Sequence, residues 1–413
     1  MRKFLVFLLL ITVVISYSCK KKSDADVSRP LLMTINVSGS YFHPILGGVI
    51  FISDMQGRTL ADTLCLSDGT YYFYGKPGTS APSFVEVTTV KPEPYFHSFN
   101  ISIETYTYIR PSAWTLKGYR ADSVGKVNPV YQNVPAHTDA MLISSSGYSN
   151  FTFNPGTLPL PLYKSPDDIY FLIPTADGMR YKIFSGVLAN TTDTFDLSSL
   201  RVPGKNTITF PGPVQYYECR IQGFKDAGYN SPIPHMMDEI LGSGSVVSNF
   251  DVYYPPSEFQ GYHTEIQAIE DYSSQQTWYY HVDGPIPAAF RKISASLNSM
   301  VPTNTSLQLR ASGKLDAVSA TWELFRPYQG IIDWTIYGPD TTTFMQLPQL
   351  APSLSNLLPW LSRDSFSFYR TGLTDLVNCQ GYDQVIRVLF DPLHPSNIDR
   401  QECSSLSITP SKK

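Results

Sequence analysis

The sequence predicts an all-β protein, built as two to three antiparallel β-sandwich domains in tandem with a few short helices. Composition is the first reason. Charged residues make up 16% of the 413-residue chain and aromatics 13%, with 27 Tyr, whereas soluble domains average roughly 25% charged residues. A chain low in charge and rich in Tyr, Thr, Ser and Val suits extended strands better than amphipathic helices. Period-two alternation is the second reason. Met33, Ile35 and Val37 share one face, as do Phe99, Ile101 and Ile103, and likewise Val318, Ala320, Trp322 and Leu324. The third is turn punctuation at Gln56–Gly57, Asp68–Gly69 and Asp177–Gly178, which reads as hairpins between short strands.

Along the chain, Ala140–Ile143 adds one more strand to a loop-rich stretch over 119–153. The run Asn154-Pro-Gly-Thr-Leu-Pro-Leu-Pro-Leu162 cannot sit in a central strand, because each proline removes a ladder donor, and it reads as an extended linker. A second break falls at Gly284-Pro-Ile-Pro287. These breaks divide the chain into 1–18, a signal segment; 19–29, a tether; and three β-rich domains at 30–153, 154–286 and 287–413. Helix is expected in three places only. Leu354, Leu357, Leu358 and Leu361 form one apolar face interrupted by Pro359, and His235–Leu241 and Pro287–Lys292 each suit a turn or two.

The first residues carry a different signal. Met1-Arg-Lys precedes the apolar run Phe4–Ile15, followed by Ser16-Tyr-Ser-Cys19 and Lys20-Lys-Lys22. The apolar run is short for a membrane span, and no later run approaches ~18 residues. The segment resembles a bacterial lipoprotein signal of the Bacteroidota type, with Ile15–Cys19 as the lipobox. The resemblance implies a diacylglyceryl group on the Cys19 thiol, cleavage before Cys19, and an outer-membrane lipoprotein at the periplasmic face or the cell surface. Several acyl chains hold stably where one holds only marginally. The polar residues 20–30 suit a short tether.

A second resemblance covers Val49–Gly57 and Leu66–Phe73. Asp54, Gly57, Asp68, Gly69 and Tyr72 occupy places similar to those of the carboxypeptidase-regulatory-like β-sandwich. That likeness implies a structural or binding module without catalysis.

The formal net charge is −4, and loss of Arg2 and Lys3 with residues 1–18 makes it two units more negative. No basic face for nucleic acid follows from that balance. Of the cysteines after Cys19, Cys65 lies in an alternating strand and reads as a small buried apolar residue. An exported compartment permits disulfides. Cys379 and Cys403 would close a short loop, with two separate thiols as the other reading. The spacing excludes a CxxC-type zinc site.

Catalytic signatures are sparse. His235 with Asp238 and Glu239, joined by His263 with Glu265, offers metal-ligand types without an HExxH pattern; surface or capping roles are the plainer reading. Asp271 and Asp283 flank an aromatic strand as candidate paired carboxylates. No Gly-x-Ser-x-Gly elbow occurs. No catalytic residue, metal or cofactor is therefore assigned.

Tyrosine doublets are more informative. In Tyr71–Tyr72, Tyr216–Tyr217, Tyr253–Tyr254 and Tyr279–Tyr280, neighbouring rings point to opposite sheet faces. Trp278, Tyr279 and Tyr280 are the candidate ligand-binding residues, as an aromatic platform for a glycan or peptide; packing against a neighbouring domain, or plain strand propensity, is the alternative. The sequence reading is thus a membrane-tethered, non-catalytic envelope protein whose partner is a glycan or another envelope protein. An exported hydrolase of polysaccharide or peptide is its competitor.

Overall fold

The computed structural model describes residues 29–95, 98–118, 123–137, 139–154, 156, 158–225, 235–326, 330–390 and 402–410. Cys19, the expected signal segment and tether residues 19–28 lie outside the described residues. Strand makes up 62% of the structure and helix 6%, which establishes an all-β fold of several antiparallel sheets.

The first strands are β1 (Leu31–Ser38), β2 (Gly48–Ser53), β3 (Thr59–Cys65), β4 (Gly69–Tyr74), β5 (Val85–Tyr95), β6 (Ser98–Ile109) and β7 (Ala113–Lys117). Next come β8 (Gly125–Gln132), β9 (Met141–Ser145), β10 (Tyr148–Thr152), β11 (Leu160–Leu162), β12 (Asp167–Thr175), β13 (Gly178–Val187) and β14 (Thr191–Asp196). They are followed by β15 (Gly204–Phe224), β16 (His235–Tyr254), β17 (Gly261–Ile269), β18 (Gln276–Gly284), β19 (Ser296–Pro302) and β20 (Ser306–Ser312). The last are β21 (Ala317–Arg326), β22 (Gly330–Pro339), β23 (Phe344–Gln346), β24 (Ser367–Leu376) and β25 (Cys403–Ile408). Among the described residues, two short α-helices, α1 (Pro352–Leu357) and α2 (Tyr382–Phe390), and two single 3-10 turns complete the set.

A twelve-stranded sheet is the spine, in the order β16-β15-β17-β18-β25-β24-β21-β22-β6-β5-β2-β3. Its neighbours are antiparallel except β22 and β6, which run parallel with Ile332 opposite Ile101. One face of this sheet builds the largest core. Phe51, Ile103, Cys219, Ile266, Trp278, Tyr280, Trp322, Trp334 and Leu406 pack there with Leu307 and Leu309 of the β19-β20-β23 sheet and Leu354 of α1. Trp322 and Trp334 sit directly opposite one another, both without exposed surface. Their indole N–H groups donate to Thr303 O and Thr105 Oγ1, which removes the cost of burying an unpaired donor.

The other face is divided. At the β3 end, Ile50, Ile52, Val87 and Tyr106 pack under the β4-β1-β7 sheet and α2, forming a second core with Met33, Ile35, Val37 and Phe390. Toward β18 and β15 the same face carries polar side chains instead. A separate sandwich, β10-β9-β12-β13 over β11-β8-β14, encloses Val127, Ile143, Ile169, Phe171 and Phe195. Strand β12 is apolar on both sides because its alternate residues Tyr170 and Leu172 join the main core. This is the pattern of a strand buried on both faces.

Several expectations are revised. The boundary at 153/154 falls inside a sheet, since β12 pairs with β9. The proline-rich run supplies β11 at a sheet edge, where Pro161 costs no ladder bond on its open side. The break near 286 does not divide the spine either, because β18 pairs with β25. His235–Leu241 is strand, not helix, held by pairing with β15. Pro287–Lys292 is irregular, and its backbone bonds to β15 through Thr209 N to Ala288 O and Phe290 N to Thr209 O. Asp68–Gly69 is a crossover rather than a hairpin: β3 lies in the spine and β4 pairs with β1, while the Asp68 carboxylate accepts from Ser40 N. Gln56–Gly57 and Asp177–Gly178 do close hairpins.

Candidate functional site

The polar face of the spine forms a grid set by strand register, closed over at the Cys403 end by α2 through Val385. Glu218, Gln267, Tyr279 and Ser405 stand side by side on β15, β17, β18 and β25. Arg220, Glu265, His281 and Cys403 make the next row, and Gln222, His263 and Asp283 the row after it. Adjacent strands lie ~4.8 Å apart and same-face rows about 7 Å apart, so each side chain reaches its neighbours.

Within the grid the charges hold one another. His263 Nδ1 lies 2.6 Å from Asp283 Oδ1, and its Nε2 lies 3.1 Å from Glu265 Oε1. Burial works against the imidazolium, but the hydrogen bonds to Asp283 and Glu265 outweigh it and bring the ring up to about 9. Glu265 is correspondingly held below the usual carboxylate range, first by its bond to His263, with the charges of His281 and Arg220 adding to it against burial. Arg220 bonds Glu218 at 2.7 Å and Glu239 at 2.8 Å. The Tyr279 hydroxyl is raised by burial, with a partial offset from Arg370, to which it is hydrogen-bonded. Glu218, Arg220, Glu265, Gln267, Tyr279 and His281 line a depression of about 270 Å³. Donors, acceptors and one phenol ring therefore converge on a space fitting a single sugar-sized ring.

The candidate aromatic platform is corrected by this geometry. Trp278 and Tyr280 are buried on the core face, where Lys292 sits 3.8 Å from the Trp278 ring centre and the Tyr280 hydroxyl donates to Glu402. Only Tyr279 faces outward, because neighbouring strand residues alternate. Asp271 and Asp283 do not meet: Asp271 caps the turn Tyr272–Ser274 at one end of β18, and Asp283 bonds His263 at the other. His235 is also separate from His263. Its Nε2 donates to Asp168 O at 3.1 Å, beside the Asp167 carboxylate that binds Ser146. Asp238 points to the core, accepts from Tyr253 N, and is pushed up to about 7 by burial, whereas Glu239 points outward to Arg220. Among the described residues no group of three or more His, Cys, Asp or Glu side chains is placed to hold a metal ion. Cys379 and Cys403 share one small apolar cluster with Leu376 and Val385, but the structure does not join them by a disulfide.

Arg220, Glu218, Gln267 and Arg370 were missed by sequence reasoning. For the first three the signal was present as polar alternation in Tyr216-x-Glu218-x-Arg220-x-Gln222 and His263-x-Glu265-x-Gln267. Which strands stand side by side was not readable.

No protein-family model matches this chain. No curated protein is similar to it. Among solved structures it is similar to a "putative adhesin" from Bacteroides ovatus at 12% identity, over 67% of this chain and 94% of that one, with a TM-score of 0.14.

Proposed function

We propose that the protein is a non-catalytic, lipid-anchored binding protein of the bacterial envelope, and that the polar face around Tyr279 captures a glycan. One observation carries the reading. A polar sheet face presents a half-buried phenol ring at a depression lined by Glu218, Arg220, Gln267 and His281, each oriented by its strand and several by ion pairs. Such a set matches the hydroxyls and apolar ring face of a sugar. Hydrolysis is a poorer fit to the same residues, because a glycosidase needs one carboxyl raised as a general acid, and Glu265 is held low. The anchor rests on Cys19 and its lipobox; Cys19→Ser should release the protein from the membrane fraction and abolish acyl labelling.

The test is a glycan array probed with residues 30–413, alongside Tyr279→Ala. Binding to a defined sugar that falls at least tenfold in the variant supports the reading. No sugar bound, or equal binding by both proteins, overturns it.

A further inference from the structure

A second cavity, of about 370 Å³, lies five strands from Tyr279, where the ends of β6 and β7 meet α2. Its floor is apolar: Trp114 and Phe390 stack at 4.0 Å between ring centres and 9° between planes, both buried. Its rim is polar, formed by Tyr108, Arg110, Asp383 and Arg387.

The backbone makes this rim by an unusual route. Val85 pairs with Ile109 but Val87 with Tyr106, so β6 carries one residue more than β5 between those points. Tyr108 takes up the excess at φ 57°, a conformation uncommon for a bulky side chain. In a regular strand Tyr108 would follow Tyr106 into the second core. The bulge gives that place to Ile109 and turns the phenol outward, 41% exposed. A strained backbone that converts a core position into an exposed aromatic is a feature found at binding sites.

Charge is the independent observation. Arg110 and Arg387 are exposed, and neither pairs with a carboxylate among the described residues. Arg110 is steadied by the Phe84 ring, 5.6 Å from its guanidinium, and Phe84 stands edge-on to Tyr108. Two guanidinium groups without a carboxylate partner among the described residues, beside an aromatic face, suit a planar anion attached to a ring. Asp383 on the same rim offers an acceptor for hydroxyls and disfavours a polyanion.

We propose that this cavity binds a carboxylate-bearing sugar, with Arg110 and Arg387 holding the carboxylate and Tyr108 stacking on the ring. The site is separate from the Tyr279 face, and neither depends on the other. The experiment is calorimetric titration of the protein with galacturonate, N-acetylneuraminate, neutral galactose, and a short peptide ending in a leucine carboxylate. The expected result is binding of an acidic sugar that galactose does not match, weakened by salt. Arg110→Gln with Arg387→Gln should reduce it at least tenfold. Tyr108→Gly, which relieves the backbone while removing the ring, should lose binding without loss of melting temperature. Tyr279→Ala should leave it unchanged, which separates failure here from failure of the glycan reading at Tyr279. Equal binding of galactose, tighter binding of the peptide, no binding of either acidic sugar, or indifference to the arginine pair would overturn the proposal.

Discussion

His263 and Asp283 are joined by a 2.6 Å contact across β17 and β18, and the second ring nitrogen of His263 meets Glu265. Carboxylates can only accept, so both nitrogens must donate and the ring is an imidazolium. Its pKa is raised above the unfolded value of about 6.5 to about 9. The stabilisation is therefore fully present below pH 6.5 and is lost as pH rises through 9. The difference between the two states corresponds to about 3 kcal/mol. Melting temperature should fall over that window, and His263→Gln should flatten this part of the curve. A wild-type curve level from pH 6.5 to 9 would contradict it.

Glu86 should add a second, lower window. It is buried beside Asp54, its Oε2 has no hydrogen-bond partner, and burial followed by the Asp54 charge pushes it up to about 8. A carboxyl raised in the folded state keeps its proton there while the unfolded chain loses it. Stability accordingly declines between about pH 4.5 and 8, at roughly 1.4 kcal/mol for each step of one in pH. Denaturant titrations of Glu86→Gln should lack this decline and show a more stable protein at pH 8. A variant less stable than wild type at pH 8 would show that the charged form is favoured.

Trp278 and Tyr279 are adjacent in sequence and opposite in consequence. Trp278→Ala should empty a core position and cost about 3–5 kcal/mol. Tyr279→Ala should change stability by less than about 1 kcal/mol while removing the ring from the polar face. Urea unfolding of the two variants distinguishes them, and similar losses in both would place Tyr279 in the core.

Cys379 and Cys403 fall in one apolar cluster, and Cys403 stands opposite Leu376, three residues before Cys379. In an oxidising compartment with a thiol–disulfide exchange partner as oxidant, we expect them to cross-link. Mass spectrometry of an unreduced digest should recover the linked peptides. Separate alkylation of both thiols without prior reduction would rule the bridge out.

Local patterns carried most of the strands. Met33, Ile35 and Val37 are buried together, as are Val318, Ala320, Trp322 and Leu324, because a period of two states which face is wet. The broken helix before Pro359 was equally plain. His235–Leu241 misled because Met, Asp, Glu and Leu sit as readily in a helix as in a strand, and pairing with β15 decided the matter. Helix α2 was overlooked although Tyr382, Val385, Ile386 and Phe390 share one face. The polar grid needed the register between β15, β17 and β18, and no single strand contains that information.

The position of β25 has a consequence for biogenesis. It is the last strand in sequence among the described residues, yet it lies between β18 and β24 in the interior of the spine. Until Cys403–Ile408 emerges, the sheet exists as two halves with open edges facing each other, each a template for stray pairing. Removing Cys403–Ile408 would open a gap at the centre of the sheet and leave the facing edges of β18 and β24 without their ladder partner.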